Sequence, residues 1–199
     1  MLQKRKNKAV ERSESWMFEA LMKLLEEKPW ADIGVSDITA RAGVARSTFY
    51  RHYVRKEDVV VQGIDALIFD ELMRKLQESY HERQPHPLVI YFETLMKYRD
   101  SITVLLKNDL THLFDSFVDR LETFIMDRYG KTLPPEELTC FQYAVEFQLG
   151  GLFHIARHWV QNLPSPLTPY EMSAIFEDFL RPFTMQQYGI VEILRRCMD

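Results

Sequence analysis

Between Arg46 and His52 the chain packs two guanidiniums, three hydroxyls and an imidazole around one apolar residue, Phe49. Each polar side chain in the run, Arg46, Ser47, Thr48, Tyr50, Arg51 and His52, can donate a hydrogen bond. An arginine can bond O6 and N7 of guanine together, and the hydroxyls can reach phosphate oxygens. A helix this short does not need so many polar groups for solubility. The composition suits a recognition helix that lies in the major groove of DNA.

The elements that must position this run are legible on either side of it. Residues 35–42 and 46–53 read as two short helices separated by Ala42-Gly43-Val44. Gly43 suits the left-handed turn position that other residues resist. Ile38, Val44, Phe49 and Tyr53 can face inward and clamp the two helices together. By composition alone, an ordinary helical hairpin with a solvated polar face explains the segment equally well.

The order of the residues adds what composition lacks. AGVARSTFYRHYVRKEDV, residues 42–59, resembles the signature of the tetracycline-repressor (TetR/AcrR) family: an AGV turn, Thr-Phe-Tyr, an aromatic-x-His-aromatic unit, then Lys-Glu opening the next helix. The resemblance extends over about residues 10–65. More loosely, GLFHIARHWVQNLPSPLTPYEM resembles the C-terminal domain of one branch of that family. The resemblance implies an all-α fold. Its N-terminal three-helix head, residues 1–55, would bind DNA, and its helical body, residues 56–199, would bind an effector and dimerise. It also implies a cytoplasmic regulator, by family default a repressor, that needs no cofactor and leaves a palindromic operator when a small molecule binds.

Carried over by position, Thr48 and Tyr50 would touch backbone or bases and His52 a phosphate. Lys56 would clamp another phosphate, aided by the dipole of the helix it opens. Arg46 and Arg51 are the candidates for base reading. Two positions depart from the family. Where it usually has a capping Thr or Ser, this chain has Gly34 and Ala45, and Ser36 and Ser47 are the nearby hydroxyls that could take over phosphate contacts. Alanine caps poorly, at a cost of about 1 kcal/mol.

Charge distribution agrees with this division. The chain has a net charge of −4, but residues 1–60 carry +3 and residues 61–199 carry −7. A mildly basic end on an acidic body fits a small DNA-reading head. The tail Lys4-Arg5-Lys6-Asn7-Lys8 is a candidate arm to the DNA backbone or minor groove. No apolar run approaches the roughly 18 residues that span a bilayer. Two cysteines far apart, Cys140 and Cys197, do not make a disulfide framework, and the cytoplasm is the default compartment.

Beyond the head, apolar periodicity predicts one long helix over about 56–80, then helices near 87–99, 101–108, 110–129 and 136–162, with HERQPHP (residues 81–87) as a linker. Thr168-Pro169-Tyr170-Glu171 is a strong helix start, and a last short helix is expected over 187–197. On the helix at 136–162, Phe141, Val145, Leu152, Ile155 and Trp159 form one apolar stripe, and Ala144, Phe147, Gly151 and His154 a second. So wide an apolar arc calls for cover on two sides. Phe141, Val145, Gly151, Leu152, Ile155 and Trp159 are therefore the expected homodimer seam, with Gly150-Gly151 allowing close approach. Phe92, Met96, Phe114, Phe117, Phe147 and His154 are the expected lining of a pocket for a hydrophobic or aromatic effector. His154 and His158, four residues apart, could share a metal, but no third ligand stands near them.

Two rival readings remain at this level. An all-α enzyme would need a nucleophile–base set, paired carboxylates or a Gly-rich phosphate loop, and none is recognisable. A helical protein-interaction module, or a relative that binds neither effector nor DNA, would keep the same helices.

Overall fold

The fold is given by a computed structural model that describes residues 8–82, 86–162, 164, 167–184 and 189. Among the described residues every regular element is helical. The basic tail up to Asn7, Cys197 and nearly all of the expected helix at 187–197 lie outside them.

Helix α1 (Lys8–Glu27) places Met17, Leu21, Leu24 and Leu25 on one buried face. Lys28 closes its last turn, and Pro29 precedes a single 3-10 turn at Trp30–Asp32. Helices α2 (Val35–Ala42) and α3 (Arg46–His52) follow. The expected single helix over 56–80 is more structured than that. It comprises α4 (Glu57–Ile64), one π turn (Asp65–Phe69) and α5 (Asp70–Glu82).

The π turn has a physical reason. Val60, Ile64, Ile68, Leu72 and Leu76 are all buried and stand four residues apart. In a helix of 3.6 residues per turn, each step of four overshoots by about 40°. The wider π turn takes up part of that drift and keeps the row facing the core. Just before it, α1 and α4 approach so closely that a Cβ on Gly63 would lie 2.0 Å from Cδ2 and 2.7 Å from Cγ of Phe18. Phe18 is itself buried, so the whole ring would have to move. Gly63→Ala is expected to cost about 1–3 kcal/mol by overpacking and to lower the melting temperature by roughly 5 °C. A thermal melt indistinguishable from wild type would show that the ring yields freely.

The body consists of α6 (Pro87–Lys97), α7 (Arg99–Lys107), α8 (Asp115–Arg128), α9 (Pro135–Gln161) and α10 (Pro169–Thr184), with 3-10 turns at Thr111–Phe114 and Gly130–Thr132. Phe92 joins three of these helices, meeting Trp159 edge-on at 5.5 Å and Phe176 at 5.9 Å between ring centroids. The start of α10 is fixed as its sequence predicts. The Thr168 backbone N donates to Glu171 Oε2 at 2.8 Å, and Glu171 N donates to Thr168 Oγ1 at 3.2 Å, which is a capping box. Asn108 Nδ2, at the end of α7, donates to Leu25 O at 3.2 Å and ties the body to α1.

A second tie crosses from α5 to the α6–α7 corner. Glu71 accepts from Lys97 Nζ at 2.7 Å and from the Tyr98 hydroxyl, and pairs with Lys75 at 3.4 Å. Burial works to raise its pKa, but the hydrogen bonds from Lys97, Tyr98 and Lys75 outweigh it and hold the carboxyl at about 2. A carboxylate with a depressed folded pKa stabilises the fold above its ordinary pKa, near 4.5, and that contribution is lost as pH falls from there towards 2. The wild-type melting temperature is therefore expected to fall across this window, and Glu71→Gln to flatten the fall while lowering the neutral-pH value. Parallel acid limbs in the two proteins would contradict the assignment.

Candidate nucleic-acid interface

The turn between α2 and α3 is built as its residues require. Gly43 adopts φ +68°, ψ 29°, and nothing lies within 4 Å of the position a Cβ would take, so the requirement there is conformational. Ile38 and Phe49 are fully buried and Tyr53 nearly so, with the Phe49 and Tyr53 rings 5.3 Å apart. Burial raises the Tyr53 phenol pKa, reinforced by Glu14 and Asp58, so this ring is a neutral structural strut.

The missing cap residues have different outcomes. At Gly34, Asp37 compensates: its Oδ2 accepts from Gly34 N at 2.8 Å and from Lys28 Nζ at 2.9 Å. The Gly34 bond, with Lys28 next, holds this carboxyl below its ordinary range. Ala45 has no such substitute, and α3 begins without a side-chain cap. After α3, Asp58 Oδ2 accepts from the backbone N of Val54 and Arg55 at 2.8 and 2.9 Å, fixing the exit of the chain.

One exposed ridge results. Arg46, Ser47, Tyr50 and Arg51 face outward from α3, Thr48 is half-buried, and Ser36 is exposed on α2. Tyr50 stays 56% exposed although its ring packs edge-on against Phe49, which leaves an aromatic hydroxyl in the ridge. Arg51 Nη2 donates to Thr48 Oγ1 at 3.1 Å, so these two side chains are oriented together. Arg46 has no partner among the described residues. Sequence reasoning overlooked Arg55, whose side chain is 73% exposed beside α3 and 3.5 Å from Asp58. Its place in the VRKED stretch was the available signal.

Two expected phosphate ligands are placed elsewhere. The His52 side chain is 8% exposed, with Nδ1 3.5 Å from Glu14 Oε1 and Nε2 3.3 Å from Ser13 Oγ. It turns towards α1 because the last turn of α3 packs there. Lys56 donates from Nζ to Trp30 O at 2.7 Å and Ile33 O at 2.8 Å and stands over the Trp30 ring at 4.1 Å. The ammonium is a second donor to the Trp30 carbonyl, which also accepts from Ile33 N at 3.2 Å, and the donor to the Ile33 carbonyl that follows the 3-10 turn. The polar ends of both side chains are thus engaged within the head and neither extends the exposed ridge.

In the body, several of the expected seam residues are interior and several of the expected pocket residues face outward. Phe141, Val145, Leu152 and Trp159 are buried within the chain itself and Ile155 is half-buried, so this stripe is core. The outward face of α9 carries Tyr143, Phe147, Gly150, Gly151 and His154, with Phe147 66% exposed. At 100° per residue Phe147 points about 200° away from Val145, which removes Phe147 and His154 from any interior pocket. Phe92 is spent on Trp159 and Phe176, and Met96 is half-buried outside the cavity wall. Phe114 and Phe117 do line an apolar cavity, together with Tyr91 and Leu95 of α6 and Phe153 and Arg157 of α9. The stripe 153, 156, 157, 160 was its legible signal. Among the described residues no three His, Cys, Asp or Glu side chains gather to hold a metal.

Comparison with known proteins bears on the same segment. Residues 18–62 match the family model "Bacterial regulatory proteins, tetR family". The N-terminal segment belongs to the tetR family of bacterial regulatory proteins. Within that family, the HTH-type transcriptional regulator EthR of Mycobacterium tuberculosis is 42% identical over 45 residues, 23% of this chain and 21% of that protein. EthR of Mycolicibacterium smegmatis is 46% identical over 46 residues. YxbF of Bacillus subtilis, an uncharacterized HTH-type transcriptional regulator, is 36% identical over 78 residues, 35% of this chain and 20% of that one. The aligned stretch thus spans about a fifth of each relative.

The tetR-family match runs from the middle of α1 to Gln62, one residue before Gly63 and three before the π turn. It covers the exposed ridge and its supports. Beyond it, the fold provides the likeness: the dihydroxyacetone kinase operon activator DhaS superposes with a TM-score of 0.54 at 15% identity, over 86% of this chain and 95% of that chain. That likeness is one of fold.

Proposed function

We propose that the protein is a homodimeric, DNA-binding transcriptional regulator that represses from a two-fold operator in the cytoplasm and is released by a small hydrophobic effector. The observation that carries this reading is the ridge Arg46, Ser47, Tyr50 and Arg51, held outward by buried Phe49 and Tyr53 on a tetR-family segment. Base-edge contacts fall to Arg46 and Arg51. Ser36, Ser47, Thr48, Tyr50 and Arg55 are the backbone contacts, while His52 and Lys56 set the angle of the helix.

A palindromic site needs two heads related by a two-fold axis, spaced about one helical turn of DNA or a small multiple apart. The exposed aromatics Tyr143 and Phe147 beside Gly150-Gly151 on α9, and Tyr170 and Phe179 on α10, support a second copy as the cover for these faces. Among the described residues no helix is long and apolar enough to cross a membrane. An effector acts by population shift, favouring a body arrangement in which the heads no longer match the half-sites.

Selection from a random-sequence duplex pool with the full chain tests the reading. Enrichment of a two-fold-symmetric sequence, together with a dimer mass by light scattering, is the expected result. A pool that stays random after repeated rounds would refute it and leave the helical interaction module as the better description.

A further inference from the structure

The cavity between α6, α7, α8 and α9 has about 20 Å³ of free space, room for roughly one water. Ile68, Leu95, Ile102, Phe114, Phe117 and Phe153 make it almost wholly apolar. Two groups break the pattern. Arg157 is the one charged side chain in the wall; it is half-buried and has no ion pair or hydrogen bond among the described residues. That is notable in a chain with 29 acidic residues to 25 basic ones. Tyr91 is 6% exposed, and its hydroxyl likewise has no hydrogen-bond partner among the described residues. Burial raises the pKa of that hydroxyl, which keeps it a donor.

Both groups are donors, and a ligand that covers them must supply the acceptors they would otherwise take from water. A carboxylate does so for both: it can take two parallel bonds from a guanidinium and one more from a phenol. The apolar remainder asks for a hydrocarbon or aryl body. We infer that the effector is a hydrophobic carboxylate whose acid group meets Arg157 and Tyr91 and whose apolar body parts the walls around Phe114, Phe117 and Phe153. This rests on the reading of the chain as an effector-released regulator. Ile68, one of the walls, belongs to the π turn that continues into α4. Opening the cavity therefore pushes on the element that leads to the DNA-binding head.

Calorimetry on the full chain with two matched probe series tests the inference: decanoate, decan-1-ol and decylammonium, and 4-phenylbutanoate with its alcohol and amine. In the wild type each carboxylate is expected to bind at least tenfold tighter than its alcohol, with the amines weakest. Arg157→Met keeps the apolar stem and should erase the preference while leaving alcohol affinity within about twofold; Tyr91→Phe should weaken the carboxylates several-fold. Equal affinity for acid and alcohol in the wild type, or an acid preference that persists in Arg157→Met, would overturn the assignment while leaving an apolar effector site in place. No binding by any probe would overturn the inference and the effector half of the proposed function together, whereas operator binding is measured independently of both.

Discussion

The double variant Arg46→Ala, Arg51→Ala is expected to lose discrimination between the selected operator and a scrambled duplex by about thirtyfold or more. Each bidentate arginine–guanine contact contributes about 1–3 kcal/mol of discrimination, and two of them set that lower bound. Both side chains are exposed, and the bond from Arg51 to Thr48 lies on the surface, so the thermal melt should stay close to wild type. Fluorescence anisotropy against the two duplexes provides the measurement. If the double variant discriminates as well as wild type, base reading resides elsewhere and the assigned ridge is wrong.

Lys56→Met separates two readings of one residue. As a phosphate clamp, Lys56 could be removed without any change in the melt, and binding to every sequence would weaken alike. As the partner of the Trp30 and Ile33 carbonyls, its loss leaves the Ile33 carbonyl unmatched, takes one of two donors from the Trp30 carbonyl and removes the contact over the Trp30 ring. Charge-assisted bonds of this kind contribute about 1.5–3 kcal/mol and the ring contact about 1 kcal/mol. The variant is therefore expected to lose about 2–4 kcal/mol of stability in chemical denaturation, with weaker operator binding following from a loosened head. An unchanged denaturation midpoint alongside weakened DNA binding would restore the clamp.

The helix-turn-helix was legible because its signals are short-range. Gly43 at a left-handed turn, an apolar set at Ile38, Val44, Phe49 and Tyr53, and polar residues elsewhere on a seven-residue helix are local facts. The roles of His52 and Lys56 were not legible, because a polar side chain's partner is set by tertiary packing. His52 meets Ser13 and Glu14 from nearly forty residues earlier, and Lys56 meets carbonyls more than twenty residues away. In the body, periodicity revealed that α9 is apolar on two faces but not which of them turns inward. Phe141 and Phe147 look alike in sequence, and only packing against α8 and α6 buries the first and exposes the second.

The π turn was hidden for a related reason. Val59, Val60, Ile64, Leu67, Ile68 and Leu72 read as one uninterrupted helix, since steps of three or four residues both count as helical. Burial brings out the row Val60, Ile64, Ile68, Leu72 and Leu76, in which every step is four. Arg157 was passed over because a single arginine on a long helix looks solvated in sequence, and its exceptional feature is the absence of an acid beside it among the described residues.

Titration of the full chain against the selected operator and a scrambled duplex of equal length, at about 50 and 200 mM salt, tests DNA reading by α3 most directly. Phosphate contacts weaken with salt for both duplexes, whereas base contacts preserve the ratio between them. The expected result is a preference of about a thousandfold or more for the operator, retained at the higher salt. Affinities that are equal for the two duplexes and vanish together as salt rises would contradict it.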